Sequence, residues 1–369
     1  MATTRPHPAS GAPAAEPAGT PSIYQVARQA GVSVATVSRV LNDKGPVRAE
    51  TRDRVLAAVA DLGYVPHSAA RSLSTRRTTA IGVLLPDMHG EFFSELVRGL
   101  DLAARAAGYH LLVSGSHNDP AETAEVLQAL HGRVDGLVVM TPGLGGSWLR
   151  ASLPRGLPVV LLNEEDGDPG HEALGIDNRL GARLAVEHLL GLGHRSIAFI
   201  RGPAGNSDAA RRLEGYRDAL RAHSIAPEPR LELPGDFSEA RGAAAGVAIA
   251  RLRPRPTAIF AANDATAIGC LTALRELGLR VPEDVSLVGF DDIPIARYLS
   301  PPLTTVRVPI AELGRRAMSR LLARVAGGSP GDGAHEVIAP TLSIRASAGP
   351  AAGVPSGEPT KRIQRRKNP

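Results

Sequence analysis

The chain of 369 residues is short of three things. Its single cysteine, Cys270, excludes an internal disulfide framework and any cysteine-based zinc site, and suits a reducing compartment. Aromatic residues make up only 3% (one Trp, five Tyr, six Phe), so recognition by aromatic faces must rest on a few identifiable positions. No run of about 18 uncharged apolar residues occurs, so no membrane-spanning helix is expected. The first 20 residues are rich in Pro, Ala and Gly and lack the continuous apolar core of a secretory signal. These absences lead us to expect a cytoplasmic protein.

Apolar residues reach 43% and charged residues 21%, ample for a sizeable core, and the length suggests two to three units at roughly 100–200 residues each. The net charge of +5 is unevenly spread. Residues 21–79 hold nine basic and four acidic groups, net +5, whereas residues 80–346 hold 27 basic and 31 acidic, net −4. Residues 347–369 hold five basic groups and Glu358, net +4. A basic front end on a slightly acidic body points to a polyanion-binding module attached to something else.

Residues 1–20 read as a disordered arm. Beyond residue 79, the apolar runs AIGVLLP, HLLVSG, GLVVM, PVVLLN, SIAFIRG, TAIFAAND and VSLVGFDD are bounded by turn residues. Runs of that kind suit parallel strands buried on both faces. Amphipathic stretches at 93–107, 180–190 and 265–277 lie between them, and strand–helix alternation implies doubly wound α/β units. The tail 347–369 reads as a disordered basic end without leucine heptads. It has the charge to assist nonspecific DNA binding by counterion release.

At the front, Ser22-Ile-Tyr-Gln25 has capping-box spacing and opens a first helix; Gly31 permits a sharp turn. Ser33 caps a second helix whose apolar face is Val37, Val40 and Leu41, leaving Val34, Ala35, Ser38 and Arg39 outward. A third helix over 50–62 buries Val55, Leu56, Val59 and Leu62. Helix, glycine turn, helix is the helix-turn-helix layout, whose second helix enters the major groove.

The strings SIYQVARQAGVSVATVSRVLN and VRAETRDRVLAAVADLGYVPHSAARSL resemble the headpiece of the LacI/GalR family of bacterial transcriptional regulators. The resemblance continues to about residue 346 through IGVLLPD, VDGLVV, GIDNRLGARLAVEHLLGLGHRSIAFI, RRLEGYRDAL, FAANDATAIGCLTALRELGLRVPEDVSLVGFDD and SPPLTTVR. It implies an all-α helix-turn-helix headpiece (21–66) and a hinge helix and linker (67–78). A periplasmic-binding-protein-like α/β effector domain of two Rossmann-like lobes follows at 79–346. Lobe 1 takes 79–176 and 307–336, and lobe 2 takes 177–304 and 337–346.

By that resemblance Val34, Ala35 and Arg39 read bases. Arg suits a guanine edge, and small apolar side chains suit thymine methyls. Tyr24, Ser33, Thr36, Ser38 and Asn42 would hold the backbone, with local helix capping the alternative for Ser38 and Asn42. Ala70 and Leu73 would belong to the hinge helix, Leu73 as the minor-groove wedge. In the body the resemblance assigns an effector site to Asp87, Phe92, Phe93, Asn163, Arg212, Phe237, Asn263 and Asp291, all just after strands or on the helices that follow. Such carboxylates, amides, a guanidinium and aromatic faces suit a carbohydrate. Two departures stand out: Gly90-Glu91 replaces the Asn-Pro of many relatives, and Asn163 stands where relatives often have Asp.

The reading is a homodimeric repressor of a pseudo-palindromic double-stranded DNA operator, controlled by a small effector. Corepression is the rival within regulation, and a cytoplasmic sugar-binding or sugar-modifying protein the rival outside it. No catalytic residue, cofactor or metal is expected. The sequence carries no G-x-G-x-x-G fingerprint, P-loop or H-x-x-x-H pattern, and Cys270 reads as a buried structural thiol.

Overall fold

The computed structural model describes residues 21–42, 45–64, 77–144, 146–163, 170–328 and 335–351. The chain divides into two units, residues 1–78 and 79–369, and each is described by itself.

In the first unit three helices, α1 (Ile23–Ala30), α2 (Val34–Leu41) and α3 (Ala49–Leu62), close on a small core of Val26, Ala27, Ala30, Val37, Val40, Val55, Ala58 and Tyr64. Ser22 N–H donates to Gln25 Oε1 at 2.7 Å, and Ser33 Oγ accepts from Thr36 N–H at 3.2 Å, so both helix starts satisfy an orphan donor locally. Two expectations need correction. Leu56 is 47% exposed, because neighbours on a helix point about 100° apart and Val55 and Ala58 take the inward face. Val34 is half-buried against the core rather than fully outward. Ala70 and Leu73 lie outside the described residues.

The second unit contains two six-stranded sheets. The chain first runs through β1 (Ala80–Leu85), α4 (Glu91–Ala106), β2 (His110–Gly115), α5 (Pro120–Leu130), β3 (Gly136–Met140), α6 (Gly146–Ser152), β4 (Val159–Leu162) and β5 (Glu172–Ile176). It crosses into the second lobe for α7 (Asn178–Gly191), β6 (Ile197–Ile200), α8 (Ser207–Ala222), β7 (Glu232–Leu233), α9 (Glu239–Arg251), β8 (Ala258–Ala261), α10 (Asp264–Glu276), β9 (Ser286–Asp291) and β10 (Thr304–Arg307). It returns for α11 (Ile310–Val325) and β11 (His335–Ile338), and crosses a last time to β12 (Thr341–Ser343).

The first sheet, ordered β11-β5-β4-β3-β1-β2, is parallel throughout. The second, β12-β10-β9-β8-β6-β7, is parallel except for the β10–β12 pair. Helices cover both faces of the first sheet, so alternate residues of one strand enter different cores. Val83, Val138 and Val160 face α4 and α11, while Leu84, Leu137, Val139 and Leu161 pack with Leu127 of α5 and Leu149 of α6. Val337 and Ile338 still pair with Gly175 and Ile176, so lobe 1 extends through Ile338, two residues past its expected end at 336, before the last crossing. Residues 347–351, expected in the disordered tail, pack on lobe 2. Buried Ser347 donates to Leu287 O at 2.6 Å and accepts from Thr304 N–H at 2.8 Å, which ties the segment to the sheet. Residues 352–369 lie outside the described residues.

Candidate functional site

In both lobes the carboxyl ends of the strands point to one cavity of about 150 Å³. All eight residues expected at the ligand site line it: Asp87, Phe92 and Phe93, Asn163, Arg212, Phe237, Asn263 and Asp291. Lobe 1 supplies the first four from the segments after β1 and β4; lobe 2 supplies the rest.

Arg212, on α8, organises the lobe 2 wall. Its Nε donates to Asn178 Oδ1 at 2.8 Å and a terminal nitrogen to Ala262 O at 2.5 Å, and its guanidinium lies 3.7 Å from the centre of the Phe290 ring. A second terminal nitrogen faces Asp291 Oδ1 at 3.8 Å, an ion pair without a hydrogen bond. Asn178 also donates to Asp208 Oδ1 at 3.0 Å, and Asn163 donates to Asp208 Oδ2 at 2.7 Å across the lobes. This buried chain of polar groups is thus almost fully satisfied, as a low-dielectric site requires.

Two acceptors are the exceptions. Asn163 Oδ1 and Asp291 Oδ1 are buried and have no hydrogen-bond partner among the described residues. Leaving such an acceptor unmet costs about 1–3 kcal/mol, so each calls for a donor. Burial pushes the Asp291 carboxyl up to about 7, against the attraction of Arg212 and reinforced by Asp208. Four carboxylates line the cavity (Asp87, Asp208, Asp236, Asp291) against one guanidinium.

Local backbone matches these roles. Asn163, Phe237 and Asp291 all have positive φ (56°, 71° and 118°), and non-glycine residues held so cluster at functional sites. A Cβ on Gly202 would sit 2.5 Å from the Phe237 ring, so glycine there lets that ring reach the wall. Asn263 bridges the wall, its Oδ1 capping α10 at Thr266 N–H (2.9 Å) and its Nδ2 bonding Phe237 O (3.0 Å). Its neighbour Asp264 does not line the cavity; fully buried, it accepts from Ile293 N–H and Thr305 Oγ1 and holds the second sheet together.

In the headpiece Tyr24 is 70% exposed, and Ala35 and Arg39 are exposed on α2. Thr36 and Ser33 share a hydroxyl contact of 3.0 Å. Asn42 Nδ2 donates to Ser38 O at 2.8 Å and Ser38 Oγ at 3.2 Å, the local capping arrangement.

Residues 22–67 match the family described as "Bacterial regulatory proteins, lacI family", and residues 186–348 match the "Periplasmic binding protein-like domain". The ribose operon repressor of Haemophilus influenzae is 36% identical over 330 residues, spanning 88% of this chain and 98% of that relative. The chain belongs to the lacI family of bacterial regulatory proteins. It is a DNA-binding transcriptional regulator with an effector-responsive, two-lobed body. Among solved structures, the lac repressor dimer bound to operator and an anti-inducer superposes with TM-score 0.79 at 32% identity, covering 89% of this chain and 99% of that one. A lacI-family regulator from Enterococcus faecium with bound ribose gives TM-score 0.67 at 30% identity, covering 73% and 99%.

Sequence reasoning missed several lining residues of this family member: Asn118, Asn206, Asp208 and Asp236. Asn206 and Asp208 sit at the start of α8, where the Asn206 side chain caps Ala209 N–H at 2.9 Å. A polar pair opening a helix just after a strand was a usable signal. Among the described residues no group of three or more His, Cys, Asp or Glu side chains is arranged to hold a metal, and no helix is long and apolar enough to cross a membrane.

Proposed function

We propose that the chain acts in the cytoplasm as a homodimeric repressor released from its operator by an uncharged monosaccharide bound in the cleft, with no catalytic step. One observation carries the sugar reading: a buried unpartnered acceptor from each lobe, Asn163 Oδ1 and Asp291 Oδ1, on the wall of one cavity. A polyol brings several O–H donors close together and can meet both acceptors at once, which favours the closed lobes. Phe92, Phe93 and Phe237 offer flat apolar faces, and Arg212 a planar donor fork for ring or hydroxyl oxygens. An excess of carboxylates over guanidinium disfavours a phosphorylated ligand. Ribose is the first sugar to try, given the ribose operon repressor and the ribose-bound regulator among the relatives.

In the headpiece Arg39 and Ala35 read base edges, and Tyr24, Ser33 and Thr36 hold phosphates. Val34 supports α2 from its half-buried position as well as facing the groove. The test is operator binding by fluorescence anisotropy with increasing D-ribose, D-galactose or D-ribose 5-phosphate. We expect a neutral sugar to weaken binding and the phosphate ester to do nothing. Tighter operator binding with sugar would convert the reading to corepression. Failure to protect any palindrome in footprinting would move it to a sugar-binding protein of another kind.

A further inference from the structure

Away from the crossovers, the polar contacts that join the two lobes include three at the cleft. Asn163 with Asp208 lies in the cavity wall, and Ser207, through N–H and hydroxyl, donates to Pro142 O on one lip. On another lip Glu91 Oε2 accepts from Ile295 N–H at 2.9 Å. This third contact differs in kind, because Glu91 does not line the cavity and Ile295 contributes only its backbone.

The positions it joins are informative. Glu91 is the first residue of α4 and immediately precedes Phe92 and Phe93, the aromatic pair of the lobe 1 wall. Ile295 lies four residues after Asp291, whose unmet acceptor belongs to the lobe 2 wall. Gly90, at φ 92°, makes the turn that starts the helix there, a conformation L side chains rarely adopt. A carboxylate in the first helical turn is held by the helix dipole, so the acceptor is preorganised toward lobe 2.

We infer that Glu91 is a positioning residue which fastens the aromatic segment of lobe 1 to the Asp291 segment of lobe 2 and so sets effector affinity from outside the cavity wall. The inference rests on the cleft being the effector site. Loss of the contact raises the open population, and apparent affinity falls with the fraction of closed, binding-competent molecules.

The test uses the full chain and three forms: wild type, Glu91→Ala and Glu91→Gln. D-ribose affinity is read by calorimetry, and lobe separation by spin-label distances between cysteines placed at exposed Ala121 and Ala240 (Cys270 is buried and will not label). We expect Glu91→Ala to bind ribose about five- to tenfold more weakly, the order of one solvent-exposed hydrogen bond, and to shift toward longer distances. Glu91→Gln keeps an acceptor of the same reach and is expected to restore both readouts to within about twofold, and Glu91→Ala is expected to hold sugar-free operator at least as tightly as wild type, because opening opposes the closed state that releases DNA. Equal distances and affinities in wild type and Glu91→Ala overturn the assignment, as does a Gln variant no better than Ala. If no form binds ribose, the sugar assignment fails separately, and the distance distributions alone decide whether Glu91 fastens the lobes.

Discussion

The headpiece and the cleft solve recognition in opposite ways. The side chains that offer themselves to bases, Ala35 and Arg39, are exposed, and the hydrogen bonds around them are local: Ser33 with Thr36, Ser38 with Asn42. The polar centre of the effector wall, Asn163, Arg212 and Asp291, is buried, and the network around it joins residues 30 to 50 positions apart in the chain. The cause is dielectric. Water satisfies an exposed arginine until a phosphate or base replaces it, whereas a buried guanidinium must be satisfied by the protein beforehand. An exposed headpiece reader can therefore be lost with little structural penalty, and a buried polar residue of the cleft network cannot.

Removing Arg212 is the strongest test of that contrast. Arg212→Ala leaves Asp291 without its cation and Asn178 Oδ1 without its donor. Leaving a buried acceptor such as Ala262 O unmet costs about 1–3 kcal/mol, so the unfolding midpoint of the body should fall while that of the headpiece stays put. Operator binding should persist at temperatures where the variant is folded, and the sugar response should vanish. A variant that still releases DNA with sugar removes Arg212 from the site.

Asp291 gives a second large effect, in pH. Burial pushes its folded carboxyl up to about 7, above the ordinary value of 3.8. Between those values the folded form holds a proton that the unfolded form has lost, so this group stabilises at low pH and the contribution fades as pH rises through 7. One such proton gives a slope of up to about 1.4 kcal/mol per pH unit. Asp291→Asn should remove that slope from urea unfolding measured between pH 4.5 and 7, leaving the similar trend due to buried Asp264, whose carboxyl burial also pushes up. A variant with an unchanged slope would show that Asp291 is ionised in the folded protein.

Arg39→Ala moves the contrast to the other unit. One bidentate base contact is worth about 1–3 kcal/mol, which corresponds to a loss in operator affinity of roughly 5- to 150-fold. Thermal stability and sugar affinity should be unchanged, because the side chain is exposed. A drop in headpiece stability would mean the guanidinium is structural.

The same contrast explains what could be read from the sequence. Long apolar runs announced β1, β3, β4, β6, β8 and β9, since strands covered on both faces carry no polar alternation. The charged five-residue β5 and the two-residue β7 offered no such run, and neither did β11 and β12 at the sheet edges. All eight cleft residues were legible from resemblance and from their places after strands, yet their wiring was not. Nothing in the local sequence says that Asn163 meets Asp208, 45 positions away, or that Glu91 reaches Ile295, 204 positions away. Those partners are chosen by how the lobes fold together, a tertiary choice that periodicity does not encode.

The smallest prediction concerns the residue where periodicity itself misled. Leu56 looks like core by composition, but it follows Val55 on α3, and two consecutive helical positions cannot both face so narrow a core. Ala58, smaller but correctly placed, is buried instead. Leu56→Ser should therefore change headpiece stability by no more than about 0.5 kcal/mol, as surface substitutions away from special features do. Val55→Ala, a true core truncation, serves as the control and should cost about 1–2 kcal/mol by the loss of two buried methyl groups. Thermal unfolding of the two variants decides the matter. If Leu56→Ser destabilises as much as Val55→Ala, Leu56 is covered in the folded protein, and the exposed side of the headpiece carries packing as well as reading groups.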